Sequence, residues 1–594
     1  MVALLKRLLR HISRQRRTQA TLLFVLMVIA SFAEVLSIGA VLPFLGVLTA
    51  PEKVFVHRLA QPIVHALGLT APHQLLLPLT VAFALAAIFS GAMRLILLWA
   101  QTRLSHAIGA DLSISIYRRT LHQPYAVHVA RNSSEVISGI AGKANGVVHS
   151  TLMPILTIAA SALLLMAILL ALLAIDTRVA VSAFTGFGAI YVAVTMITKD
   201  RLVQNGALIG REQTKVIKAL QEGLGGIRDV LIDGTQAVYC NVYNDADTHL
   251  RRAQANIQII AGSPRYGIEA LGMVLIAMLA FTLARRQEGI AAAIPVLGAL
   301  ALGAQRLLPV LQQAYASWAA VRSGQASLRD ALALLDQPLP GYAALSVPAP
   351  LSFSANIELE KLVFKYDANS EKVLNEINLS IPKGSRIGFI GTTGSGKSTL
   401  LDVVMGLLYP TSGCIRIDGV PVTTENLRAW QLHIAHVPQA IYLADASISE
   451  NIAFGISSER IDHERVADAA RQAKISTVIE SWADKYATVV GERGVRLSGG
   501  QRQRIGIARA LYKKADVIVL DEATSALDTV TESAVMEAIE GLGNELTILI
   551  VAHRLTTLRS CTQIIELANG RIARIGLYDE IVGNATKFEE TKDK

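Results

Sequence analysis

Apolar positions are unevenly spread along this chain of 594 residues. In the first half they merge into runs long enough to cross a bilayer as helices, which takes about 20 residues. Six such runs are predicted, at Leu22 to Leu48, Leu75 to Ala100, Val147 to Ile175, Val179 to Ile197, Ile257 to Leu283 and Ile290 to Leu311. An even number of crossings returns both termini to one side. Toward the C-terminus the pattern changes: short apolar segments such as RIGFIG, VIVLDE and TILIVAH alternate with amphipathic stretches, as in a single α/β domain. Between the halves, DQPLPGYAALSVPAPLSFSAN collects Pro338, Pro340, Pro348 and Pro350 and reads as a linker. The predicted division is an all-α membrane domain over 1–335, a linker over 336–355 and an α/β domain over 356–594. A signal peptide is the alternative for the first run, but the run is too long and no A-x-A site follows cleanly.

Composition agrees with a membrane chain: 17% of residues are charged and 52% hydrophobic, against about 25% charged in an ordinary soluble protein. The formal charge of +9 is not spread evenly. Lys6, Arg7, Arg10, Arg14, Arg16 and Arg17 precede the first run; Arg118, Arg119, Arg131 and Lys143 follow the second; Lys199, Arg201, Arg211, Lys215, Lys218, Arg228, Arg251 and Arg252 follow the fourth. The opposite loops carry only Lys53 and Arg58, Arg178, and Arg285 and Arg286. The basic segments are therefore cytoplasmic, and the positive charge needs no nucleic acid to explain it. Cys240, Cys414 and Cys561 are scattered, odd in number and placed in cytosolic segments, so neither a disulfide set nor a metal site is expected.

The two internal cytoplasmic loops are long for structureless connections. Helical extensions of the spans are expected there, with tips at Leu121 to Val136 and Ile227 to Tyr239 forming short transverse helices, or plain amphipathic connectors. The outer segment Pro51 to Leu69 places His57, Arg58 and His65 at helical spacing among apolar residues and predicts one interfacial helix, a membrane-surface lid or a guide for lipid tails.

Chemistry is concentrated in the α/β half. Gly391-Thr392-Thr393-Gly394-Ser395-Gly396-Lys397-Ser398 fits GxxxxGK[ST], a strand-to-helix turn whose backbone N–H groups wrap phosphates, with Lys397 as a point charge and Ser398 as a Mg²⁺ ligand. Alone it leaves many enzyme classes open. Asp521 and Glu522 end a buried strand beside that loop, where one acid can hold Mg²⁺ through water and the other can accept a proton from an attacking water. Ser498 and Gln501, in LSGGQ, form an S-x-x-Q capping box that leaves the amides of Gly499 and Gly500 uncovered, a second anion site.

With LSGGQ followed by RQRIGIARALYKKADVIVLDE, the C-terminal third resembles the ATP-binding cassette family. The resemblance implies ATP and Mg²⁺ as cofactors, with the nucleotide held by Gly391 to Lys397, Ser398 and Thr399 and by adenine stacking on Tyr366. It assigns Asp521, Ser398 and Gln439 to the metal, Glu522 to the general base and His553 to the γ-phosphate. Gln439 would also sense the attacking water. It implies a head-to-tail pair, in which Ser498, Gly499, Gly500 and Gln501 of one subunit close over nucleotide held by the other, and SALD, with Asp528, lines the interface. GERG at Gly491 to Gly494 is similar to the loop found in exporters. Since every ATP motif is intact, a homodimeric exporter of two half-transporters is the implied assembly.

For the substrate, Arg94, Arg265 and Arg306 stand out, because ionisable residues inside a membrane are costly. At about 1.5 Å per residue, Arg94 and Arg306 fall roughly 25–30 Å from their outer ends and Arg265 about 12 Å from its inner end, all in the cytoplasmic half. They could cradle a pyrophosphate; the alternative is snorkelling, with Arg265 paired to Glu269 one turn away. SFAEVLSIGAVLPFL, NSSEVIS and SPRYGIEALG are similar to bacterial lipid-linked oligosaccharide flippases of the PglK type. That resemblance implies outward flipping of a polyprenyl-pyrophosphate glycan across a bacterial inner membrane. A lipid or multidrug exporter with the same architecture is the alternative, and a merely anchored ATPase a remote third.

Overall fold

The computed structural model describes residues 1–49, 51–57, 61–66, 68–175, 177–284, 307–340, 343, 348–367, 369–522, 532–533, 536, 541, 545–551 and 555–581. The chain divides into two compact units. One consists of Met1–Gln123 and Arg131–Leu339, the other of Pro124–Ala130 and Pro340–Lys594.

The first unit is helical. Its long helices are Arg14–Thr49, Leu76–Leu121, Met153–Ile175, Thr177–Gly225 and Gln236–Ala284, with a further helical stretch over 307–323. Among the described residues, three stretches are long and apolar enough to cross a membrane: Arg14–Leu48, Pro72–Leu121 and Ser133–Leu170. The sixth predicted run lies mostly outside the described residues. Leu76–Leu121 has 46 residues and so runs about 69 Å, more than twice the ~30 Å hydrocarbon layer. Only 6% of the apolar window in Pro72–Leu121 is buried, so most of its apolar side chains point away from the rest of the unit. Its polar end instead buries Leu104, Ile108, Leu112 and Ile116, one residue per turn, against Val147, Val148 and Leu152 and against Leu328, Leu332 and Leu335 of helix Gln325–Leu335. That four-residue spacing is the ridge of a helix packed against neighbours.

The loop tips form six-residue helices, Tyr125–Ala130 and Ile227–Ile232. The single interfacial helix expected over Pro51 to Leu69 is corrected: the described residues form two pieces, Pro51–Val56 and Gln61–Ala66, followed by a turn at Pro72–Leu75. A proline opens the first piece and another sits at the second position of the next, where a missing N–H is harmless.

Among the described residues the second unit holds ten strands: β1 Asn356–Phe364, β2 Leu374–Pro382, β3 Arg386–Ile390, β4 Ser412–Ile417, β5 Val420–Pro421, β6 Ile434–Val437, β7 Val517–Asp521, β8 Thr547–Val551, β9 Gln563–Ala568 and β10 Arg571–Gly576. An antiparallel sheet has the order β2-β1-β4-β5, and a second sheet the order β10-β9-β3-β8-β7-β6. In the latter, β9, β3, β8, β7 and β6 run parallel, and β10 adds an antiparallel edge. The parallel strands are buried on both faces, which is why VIVL and TILIV read as unbroken apolar runs. One face packs Phe389, Leu400, Val404 and Trp430, the other Ile448, Ile452, Ile505 and Ala508. Chemistry in such a sheet collects at the carboxyl ends of its strands.

Candidate functional site

At the carboxyl end of β3 the chain turns through residues 391–396 into helix Lys397–Val404. The turn needs glycine at two points. Gly391 has φ +143°, and a Cβ there would lie 2.2 Å from the Leu567 carbonyl; Gly396 has φ +99° and faces the Val373 carbonyl at 3.0 Å. Residues 391–394 are exposed while Ser395 and Gly396 are buried, so the loop presents backbone outward from a fixed base. The Lys397 ammonium donates to the carbonyls of Gly391 (2.8 Å) and Thr392 (3.0 Å), curling over the loop it serves. Ser398 is exposed beside it. Among the described residues, the buried Ser395 hydroxyl has no hydrogen-bond partner.

β6 and β7 are neighbours paired through Val437 and Leu520, so the residues just beyond their ends meet. Gln439 donates from Nε2 to Oε2 of Glu522 at 2.6 Å. Glu522 has φ +51°, and its N–H donates to the Val551 carbonyl at 2.9 Å, which ties the end of β7 to β8. Asp521 ends β7. A further acid, Asp402 of the loop's helix, was not foreseen: burial first, and then the charge of Asp521, push its carboxyl up to about 6. Negative charge crowding near an exposed seryl hydroxyl suits a hard cation with oxygen ligands. Among the described residues no group of three or more His, Cys, Asp or Glu forms a metal cage. The exposed Ser398 hydroxyl and the acid at the end of β7 fit Mg²⁺ held jointly with phosphate, and the loop fits a nucleoside triphosphate.

Helix Gly499–Lys513 opens on the predicted capping box: Ser498 Oγ accepts from the Gln501 N–H (3.2 Å), and Gln501 Oε1 accepts from the Ser498 N–H (2.9 Å). Tyr366 is 53% exposed rather than packed into the sheet, its ring edge-on to Phe364 and its hydroxyl 3.2 Å from Thr399 Oγ1. That puts it beside the phosphate loop's helix. His553, Asp528 and the rest of SALD lie outside the described residues, as does Arg306.

In the helical unit the arginines are not bare. Arg265 Nε pairs with Glu269 Oε1 at 2.9 Å, one turn away, as the snorkelling alternative holds. Arg94 Nε pairs with Glu34 Oε2 at 3.0 Å, and the Ser90 hydroxyl donates to the same oxygen. A cavity of about 280 Å³ is lined by Arg94 but not by Arg265. Glu34 was missed at the sequence level, although a lone acid inside an apolar run is the signal that singled out the arginines.

The ABC transporter family model matches residues 374–525. An ATP-dependent lipid A-core flippase of Chromobacterium violaceum is 33% identical over 375 residues, 63% of this chain and 63% of that protein, so the alignment leaves over a third of that relative uncovered. A second one, from Chromohalobacter salexigens, is 31% identical over 66% of this chain and 68% of its own length. A solved structure of a bacterial Atm1-family ABC exporter with ATP bound superposes with a TM-score of 0.77 over 96% of both chains at 23% identity, which speaks to the fold. Motif order, strand order and these likenesses converge: the chain belongs to the ABC transporter family, and its fold is of the exporter type, a helical membrane domain fused to an α/β ATP-binding cassette domain.

Proposed function

We propose that two copies of this chain form an ATP-driven flippase that carries a glycan-bearing membrane lipid from the cytoplasmic to the outer leaflet of a bacterial inner membrane. The ATPase domains would lie in the cytoplasm. The observation that carries the ATP half is the 2.6 Å bond from Gln439 to Glu522 beside the exposed loop 391–394. Glu522 can accept a proton from water at its carboxylate, and Gln439 orients that carboxylate. Lys397, on leaving its two loop carbonyls, and the loop amides would hold phosphate, with Ser398, Gln439 and Asp521 toward Mg²⁺. Ser498 and the amides that follow it would close the partner's site, and His553 and Asp528 keep the roles the resemblance implies.

The substrate reading rests on two supports. Relatives named as lipid A-core flippases align along both halves of the chain. The intramembrane arginines that are described already hold carboxylates, which weakens a pyrophosphate cradle built on Arg94, Arg265 and Arg306 and favours a lipid whose sugars, rather than its phosphates, are read. A polyprenyl-pyrophosphate oligosaccharide is the second reading, carried by the three stretches similar to PglK-type flippases. Proteoliposomes offered each fluorescent lipid with ATP decide between them: translocation of the lipid A-core type alone supports the first, of the polyprenyl type alone the second, and of neither overturns the flippase reading.

A further inference from the structure

The chain passes between its two compact units three times, after Gln123, after Ala130 and after Leu339. The first two passages enclose helix Tyr125–Ala130, which belongs to the ATPase unit although it is the tip of a membrane-unit loop. Within that unit it lies on the nucleotide side: burial first, and then the fields of Asp402 and Tyr366, push the Tyr125 hydroxyl's pKa up. The third passage is longer. After helix Gln325–Leu335 the chain is next anchored in the ATPase unit where the His433 ring holds the Leu351 carbonyl at 2.6 Å. The intervening residues 339–350, about a dozen, can reach up to roughly 40 Å. A tether of that length does not by itself make the last helix follow the ATPase unit.

Side chains at the root of the first passage supply the missing constraint. Arg119 donates from Nη1 to the Gln337 carbonyl, and Gln123 from Nε2 to the Pro338 carbonyl at 3.0 Å. The same Gln123 amide donates to the Arg119 carbonyl of its own helix at 2.9 Å. Asp336, just before them, pairs with Arg7 and His11 of helix Val2–His11. These bonds extend the apolar ridge of Leu104, Ile108, Leu112 and Ile116 past its end. Apolar burial is non-directional, whereas a hydrogen bond to a carbonyl prefers one distance and angle, so the polar end of the seam sets the register of the last helix. We infer that Arg119 and Gln123 are positioning residues that deliver a displacement of helix Tyr125–Ala130 to helix Gln325–Leu335, by lashing the start of the linker to the root of the loop. The device is indifferent to which lipid is carried.

The test follows amide hydrogen exchange by mass spectrometry on the full chain in nanodiscs, without nucleotide and with ATP, Mg²⁺ and vanadate. In the wild type, exchange changes at 124–130 and at 325–338 together. In Arg119→Ala with Gln123→Ala the change at 124–130 persists and that at 325–338 shrinks about threefold or more, while ATP hydrolysis without vanadate stays within about twofold of wild type. A wild type whose 325–338 does not respond overturns the inference, as does a response there that survives both substitutions. Loss at both segments with hydrolysis retained overturns it as well. Where hydrolysis is lost too, a second variant decides within one folded protein: Arg119→Ala, Gln123→Cys and Pro338→Cys on a Cys240→Ser background, its two new cysteines joined by a short bis-methanethiosulfonate. The response at 325–338 returns on linking and disappears on reduction; its failure to return overturns the inference.

Discussion

Gln439 and Glu522 leave the ends of adjacent parallel strands and are joined by a 2.6 Å hydrogen bond. That bond holds the Glu522 carboxyl group in one orientation, as the positioning of a proton acceptor requires. Glu522→Gln keeps the side chain's size and loses the proton acceptor. Steady-state ATP hydrolysis is expected to fall by roughly 10²-fold or more, while binding of a fluorescent ATP analogue persists. Turnover near the wild-type rate would remove Glu522 from that role.

Lys397 donates to two carbonyls of its own loop, so its charge is stationed where phosphate oxygens would arrive. Lys397→Ala is expected to weaken nucleotide binding itself by about tenfold or more, since hydrogen bonds to charged groups contribute roughly 1.5–3 kcal/mol. Equilibrium binding of ATP with Mg²⁺ measures this, and an unchanged affinity contradicts the assignment.

What the sequence made legible was local. The glycines of residues 391–396, the reciprocal bonds of Ser498 and Gln501, and the unbroken apolar strands β7 and β8 each follow from neighbours within a few positions. Tertiary pairings were not legible. Glu34 and Arg94 lie on different helices, and Asp402 meets the field of Asp521 only because the sheet brings helix Lys397–Val404 beside β7. In the spans, apolarity on every face also hides which side packs, so the ridge Leu104, Ile108, Leu112 and Ile116 emerges only beyond the wholly apolar stretch.

The amides uncovered after Ser498 have no evident use within their own subunit's nucleotide site, which motivates a shared one. Chains carrying Ser498→Arg, mixed with wild type and allowed to exchange subunits, are expected to poison ATP hydrolysis below the proportion of wild-type chains. Activity strictly proportional to that fraction, with exchange verified by crosslinking, would refute shared sites.

Glu450 closes a second capping box, accepting from the Ser447 N–H at 2.9 Å and from the Ser447 and Ser458 hydroxyls. Those bonds, the backbone one foremost, pull its carboxyl down to about 2 from an ordinary 4.5. With the folded value depressed, the stabilisation is complete above about pH 4.5 and is lost as pH falls toward 2. Glu450→Ala is expected to lower the ATPase domain's unfolding midpoint by about 2–4 °C at pH 7, with the gap to wild type narrowing below pH 4.5. A gap constant across that window, followed by thermal scanning of the full chain, would show that the carboxylate charge is immaterial.

Arg94 and Arg265 resemble each other in sequence and differ in what their loss leaves behind. Glu34, the partner of Arg94, is 4% exposed at its side chain, whereas Glu269, the partner of Arg265, is 38% exposed. Removing the cation from a buried pair strands a desolvated carboxylate, at a cost of roughly 3–5 kcal/mol, with the lower end expected because Arg94 itself is half exposed. Arg94→Ala is therefore expected to destabilise the helical unit as well as to impair flipping, and Arg265→Ala to do much less to stability. The double variant Arg94→Ala with Glu34→Gln should recover most of the lost stability, because the stranded charge is gone. Unfolding midpoints of the four combinations in nanodiscs form the cycle. If Glu34→Gln fails to rescue Arg94→Ala, the pair does not share a desolvated charge, and the effect of Arg94 on transport can be read directly as a contact with substrate.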